Sequence, residues 1–192
     1  SLEEALRLGF NCIITMGGIQ SNHVRACATA CAQLGLECHL VLRGDFKEFE
    51  GNLFLDALLG AHIHVISPSM SREEKAEELR SELEKQGKKP LIIPVGASNA
   101  QGSLGYIGCY NEISAFEAES GISFDYICLA VGSGGTYAGL WFANNINTNK
   151  KHILGFAVCD DSETFKNDIS KTANDMGAKN IDRNSIEIND KY

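Results

Sequence analysis

An α/β protein built on open parallel sheets, with helices on both faces, is the fold class this sequence predicts. Short apolar runs recur along the chain, and segments of helical periodicity alternate with them. Two of the runs end in glycine-rich turns, the connection expected where a parallel strand feeds a helix. No internal repeat, low-complexity tract or long linker interrupts the alternation.

The opening SLEEALRLG reads as a helix leading into strand CIITM. A helix from about Ser21 to Leu34 follows and is closed by Gly35. Strand ECHLVL, a helix around GNLFLDALLG and strand HIHVI come next. In SREEKAEELRSELEKQG, Leu79 and Leu83 stand four apart on one helical face, Ser71 and Glu74 occupy capping-box positions, and the charges make a solvated face. Strand PLIIP and a helix over about residues 102–119 complete the first half. The pattern restarts with strand DYICLAV, the loop GSGGT and a helix from about Tyr137 to Asn145. Strand HILGFAV, a polar helix over 162–176 and the strand-like IEINDKY end the chain. The restart puts a domain boundary near residues 112–118, with a small α/β domain over 1–112 and part of a larger one over 113–192. The chain begins inside a helix without an initiator Met and stops in a strand-like run, so a piece of a longer protein, truncated at both ends, is expected.

The formal net charge of -8 argues against nucleic acid or an anionic membrane as partner. No run approaches the roughly 18 apolar residues of a membrane span. The seven cysteines build neither a disulfide framework nor a zinc site, which points to a reducing, cytoplasmic setting. His62 and His64 alternate on one strand face without a third ligand, and Cys27 and Cys31 suit core packing, so no metal is expected. Tyr106 suits packing or the cleft, and Asp160 and Asp161 stand at a strand's carboxyl end.

Chemistry concentrates in two loops. After CIITM come Gly17 and Gly18, then Gln20, Ser21, Asn22 and His23 at the mouth of the next helix. Glycines let backbone approach a ligand, and the first helical N–H groups suit an anion such as a carboxylate. Ser21 or Asn22 also suits plain helix capping. The second loop, Gly132, Ser133, Gly134, Gly135 and Thr136, offers backbone N–H groups and a helix dipole to a phosphate. It is no Walker loop, and Tyr137 stands where a dinucleotide fingerprint needs its third glycine.

The segments GGIQSNHVRACA, GNLFLDALLGA, PVGASNAQGSLGYIGCYNEI and FDYICLAVGSGGTYAGL, in that order, resemble the 1-aminocyclopropane-1-carboxylate deaminase and D-cysteine desulfhydrase family. That resemblance implies the tryptophan synthase β-type fold (fold type II) and the cofactor pyridoxal 5'-phosphate. It implies catalytic work for Ser21 and Asn22, with Asn22 on the cofactor's ring hydroxyl and Ser21 on the substrate carboxylate. Gln20 and His23 would line the substrate pocket, and Gly132, Ser133, Gly134, Gly135 and Thr136 would bind the cofactor phosphate. The family's Schiff-base lysine would precede the first strand, yet residues 1–16 hold no lysine, and Tyr192 falls just short of the family's substrate tyrosines. The full-length protein is therefore expected to be a lyase or deaminase acting on a small amino acid, as a homodimer, with this chain alone inactive. His23, where the deaminase branch typically has Gln, and the short link before GNLFLDALLG favour D-cysteine desulfhydrase over the deaminase. The alternative of another class is a non-catalytic module that binds pyridoxal phosphate or another phosphate without the lysine.

Overall fold

The computed structural model describes residues 2–45 and 48–191, so Ser1 and Tyr192, both read above, lie outside the described residues. The chain divides into two compact units, Ser1–Gly96 and Ala97–Tyr192.

In the first unit the order is α1 (Leu2–Arg7), β1 (Cys12–Gly18), α2 (Asn22–Leu34), β2 (Glu37–Arg43), α3 (Gly51–Leu58), β3 (His62–Ile66), α4 (Arg72–Lys85) and β4 (Pro90–Ile93). All four strands are parallel, in the order β3-β2-β1-β4. The two-residue period of the strands sorts side chains between layers. Ile13, Cys38, Leu40 and Leu42 join Val24, Cys27, Ala28 and Cys31 of α2 in one core, while Cys12, Ile14, Met16 and Val41 meet Ala76, Leu79 and Leu83 of α4 in another. Helices therefore cover both faces. The chain steps outward from β1 to β3 and then returns to add β4 on the far side of β1. The carboxyl end of β1 is thus the topological switch point, the place where open parallel sheets generally bind their ligands.

Cys27 and Cys31, joined by Cys38, form a buried trio whose sulfurs lie within 4.8 Å of one another. His62 and His64 share a face, and the fold supplies His39 as a third imidazole. Glu37 can only accept, so His39 Nε2 donates to its Oε1 (2.8 Å). His39 Nδ1 is then an acceptor for His64 Nε2, 3.0 Å away. Lys88 also donates to Glu37, at 2.6 and 2.7 Å, so the group reads as a hydrogen-bonded chain along the sheet face.

The second unit runs α5 (Ala100–Ser103), α6 (Gly105–Ser120), β5 (Tyr126–Val131), α7 (Gly135–Ile146), β6 (His152–Ala157), α8 (Ser162–Asp175) and β7 (Glu187–Asn189), with a parallel sheet ordered β5-β6-β7. Two expectations change here. The single helix over 102–119 is broken at Leu104 into α5 and α6. The division between units falls at Gly96/Ala97 and not near residues 112–118, because α5 and α6 pack against α7. Gly139 of α7 makes that packing possible, since a Cβ there would run into the Ser103 carbonyl and the Tyr106 side chain. Tyr106 thus packs on α7. Asp161 is the N-cap of α8, accepting from Thr164 N at 2.8 Å.

Tyr137, which breaks the dinucleotide pattern, has a structural task. Its ring is fully buried in the unit's core, and its hydroxyl donates to Ile153 O (2.7 Å) and accepts from Glu187 N (2.8 Å). One side chain of α7 thus ties β6 to β7. Tyr137→Phe leaves both backbone groups without this partner and is expected to cost about 1–3 kcal/mol. Hydrogen exchange at Glu187 N checks this, since that amide should lose protection first.

Candidate active site

The first loop is shaped by close packing. A Cβ on Gly17 would come within 2.7 Å of Val24 Cγ2 and 2.9 Å of Ser21 Oγ, so only glycine lets the end of β1 lie against the start of α2. Ser21 is the N-cap of α2, its Oγ accepting from Val24 N at 3.3 Å. Capping uses the oxygen as acceptor and leaves the O–H free to donate, so the cap and a carboxylate contact are compatible.

His23 is fixed by its neighbours. The Thr15 hydroxyl donates to Ile93 O (3.1 Å), so toward His23 it acts as an acceptor. His23 Nε2, 2.9 Å away, must then carry the hydrogen, and Nδ1 is the bare nitrogen. Burial pushes the His23 pKa below its ordinary value, which favours the neutral ring. The result is an oriented neutral imidazole with an acceptor nitrogen.

Gln20 was expected in the pocket lining, but both ends of its amide are engaged by α3. Its Oε1 accepts from Asn52 N (2.8 Å), and its Nε2 donates to Glu50 O (3.1 Å). Glu50, the N-cap of α3, makes no side-chain cap of its own, so Gln20 caps that helix from another element. In return, Asn52 Nδ2 donates to Gln20 O (2.9 Å) and to Asn22 Oδ1 (3.0 Å).

The second loop leaves β5 at Val131 and enters α7. Gly134 holds φ +78, a left-handed conformation that favours glycine, and is the N-cap of α7 without any side-chain cap. The Ser98 hydroxyl donates to Ser133 Oγ at 2.7 Å, and a Cβ on Gly135 would come within 2.7 Å of Ser98 Oγ. The loop carries no acidic side chain from Gly132 to Thr136. An uncapped twelve-residue helix behind three glycines fits a phosphate group, through its free N–H donors and positive dipole end.

Comparison with known proteins decides the family. The model for pyridoxal-phosphate dependent enzymes matches residues 2–192. The chain belongs to that family. It is 40% identical over 177 residues to the mitochondrial bifunctional D-cysteine desulfhydrase/1-aminocyclopropane-1-carboxylate deaminase of Arabidopsis thaliana, covering 85% of this chain and 44% of that protein. It is 38% identical over 143 residues to the D-cysteine desulfhydrase of Serratia proteamaculans, covering 71% and 43%. A solved structure of a 1-aminocyclopropane-1-carboxylate deaminase homologue superposes with a TM-score of 0.82 at 34% identity, covering 97% of this chain and 57% of that one. The fold is therefore that of the fold type II pyridoxal-phosphate enzymes, as the resemblance implied. The chain spans about half the length of the relatives it matches.

The structure brings Ser21, Asn22 and His23 together at the switch point, with Gln20 behind them, and keeps Gly132, Ser133, Gly134, Gly135 and Thr136 contiguous at the start of α7. Sequence reading missed Thr15, Gly51, Asn52 and Ser98. Thr15 looks like any strand residue, and Ser98 touches the phosphate-type loop only through tertiary packing. Gly-Asn at the head of a helix was the one signal available, since both residues are unusual within a helical first turn unless the backbone or a neighbour requires them.

Proposed function

We propose that the whole protein is a pyridoxal-phosphate-dependent lyase acting on a small amino acid, with D-cysteine desulfhydrase as the reaction: D-cysteine and water to pyruvate, sulfide and ammonia. The cofactor supplies an electron sink for the carbanion that such reactions generate. In this reading the α7 N-terminus, with Gly132, Ser133, Gly134, Gly135 and Thr136, holds the phosphate. Asn22 donates to the ring hydroxyl, Ser21 donates to the substrate carboxylate, and Gln20 holds their loop in place. His23 stands ready with Nδ1 to take a hydrogen bond from the substrate.

The observation that carries the desulfhydrase reading is the neutral, oriented His23. An acceptor nitrogen suits a thiol, which has a hydrogen to give. A cyclopropane carbon offers nothing comparable. 1-Aminocyclopropane-1-carboxylate deaminase is the second reading, supported by the relatives that bear that name. Among the described residues no helix is long and apolar enough to cross a membrane. Seven free thiols support a reducing compartment such as the cytoplasm. A homodimer is the assembly proposed for the whole protein, and sedimentation of that protein checks it.

The experiment is turnover by the whole protein loaded with pyridoxal phosphate. Sulfide and pyruvate from D-cysteine, at a kcat/KM above that for ammonia release from 1-aminocyclopropane-1-carboxylate, is the expected result. The reverse order establishes the second reading. Cofactor binding without turnover of either substrate establishes the non-catalytic module instead.

A further inference from the structure

We infer that Asn52 is a positioning residue for the cofactor: it fixes which end of the Asn22 amide faces the ring hydroxyl. The inference rests on the reading that Asn22 meets that hydroxyl, and goes beyond it by naming what sets the polarity of the contact. An Asn side chain is nearly symmetric in shape but not in chemistry. One end accepts, the other donates, and nothing in the residue itself decides which end a ligand meets.

Hydrogen-bond logic decides it here. A backbone carbonyl can only accept, so the end of Asn52 that lies 2.9 Å from Gln20 O is its NH2 group. The same Nδ2 lies 3.0 Å from the Asn22 side chain, which must therefore present its carbonyl oxygen there. Asn22 Nδ2 is left as the opposite end, and among the described residues no acceptor meets it. Asn22 thus turns a donor outward from α3, the polarity that holds a pyridoxal ring oxygen in its ionised form.

Asn52 is itself held. Its backbone N–H donates to Gln20 Oε1 at 2.8 Å, which also settles the Gln20 amide, whose Nε2 reaches Glu50 O at 3.1 Å. Gly51 holds φ +56, and a Cβ there would run into the Gln20 amide oxygen, so the approach of α3 to the loop requires glycine. Four hydrogen bonds therefore join the head of α3 to the loop at the head of α2, and Asn22 is the last residue in that chain of constraints. A general helix-packing contact would not need donors and acceptors in this order.

The test uses the whole protein loaded with pyridoxal phosphate, in three variants: Asn52→Asp, Asn52→Ala and Asn22→Ala. Asn52→Asp replaces the donor by oxygens, which repel Gln20 O and Asn22 Oδ1 and favour the flipped Asn22 amide, with its carbonyl toward the ring. The bound chromophore should then shift in absorbance toward the form with a protonated ring oxygen, and its pH titration should move in the same direction. Cofactor affinity should fall roughly tenfold to hundredfold, the range for one hydrogen bond to a charged group. Asn52→Ala removes the restraint without reversing it and should give a smaller shift of the same sign. If Asn22→Ala shifts the chromophore while both Asn52 variants leave it unchanged, the positioning role is overturned and the Asn22 contact stands. If Asn22→Ala leaves it unchanged as well, the reading of Asn22 fails and this inference fails with it. A fall in thermal stability of the Asn52 variants with an unaltered chromophore would mean that Asn52 is only part of the packing, and would also overturn it.

Discussion

Thr136→Asp is expected to lower the affinity of the whole protein for pyridoxal phosphate roughly a thousandfold while leaving folding unchanged or firmer. The two effects have opposite signs for one physical reason. Thr136 lies in the first turn of α7, whose N-cap is Gly134 and whose start, among the described residues, carries no side-chain cap. A carboxylate in that turn complements the helix dipole, worth about 0.3–1 kcal/mol to the helix. The same charge opposes a phosphate bound to the N–H groups of that turn. Two unit charges about 4 Å apart repel by about 4 kcal/mol at an effective dielectric constant of 20, which is roughly a thousandfold in affinity. Gly134→Asp is a harsher and less informative change, because φ +78 disfavours any side chain there and its Cβ would sit 3.1 Å from Ile169 Cγ1. Cofactor titration and a melting curve of the Thr136→Asp protein check both signs. Unchanged cofactor affinity would mean that the phosphate binds elsewhere.

The parts of this protein that were legible in its sequence are those set by local periodicity and by glycine chemistry. Strand HIHVI begins and ends where the apolar alternation said, Ser71 caps α4 as its spacing required, and Gly35 closes α2 in a left-handed conformation. The division at Leu104 was not legible, since Leu104 keeps helical backbone angles, φ -57 and ψ -30, and nothing in its side chain marks a boundary. The same applies to the candidate site. Gln20, Ser21, Asn22 and His23 stand out as a polar run after a glycine pair, but their division of labour depends on partners far away in sequence. Thr15 and Ile93 decide the His23 tautomer, and Asn52 decides how the Gln20 and Asn22 amides point. Periodicity carries no information about such long-range hydrogen bonds, so the contacts of the Gln20 amide with α3 could not be read from it.

The helix that carries Asn52 is docked by an ionisable group, and this makes the stability of the first unit depend on pH. The buried side chains of α3 are Leu53 and Asp56. Asp56 is fully buried, and among the described residues neither of its carboxyl oxygens has a hydrogen-bond partner. Burial pushes its pKa from 3.8 up to about 6, against the opposing pull of the Arg25 charge. Below the unfolded value both states hold the proton and nothing is lost. Between 3.8 and about 6 the unfolded chain releases its proton first, so stability falls as pH rises, and above about 6 the loss is complete. At about 1.4 kcal/mol for each tenfold change, that interval corresponds to about 3 kcal/mol. Asp56→Asn keeps the shape and removes the titration. Urea unfolding from about pH 3 to about pH 7 should therefore move in favour of the variant by about 3 kcal/mol relative to the native protein, whatever constant cost the buried amide adds. Curves that run parallel across that range would mean that the carboxylate finds a compensating partner in solution, such as Arg25, whose charge already pulls on it, and that α3 docks equally well with Asp56 charged.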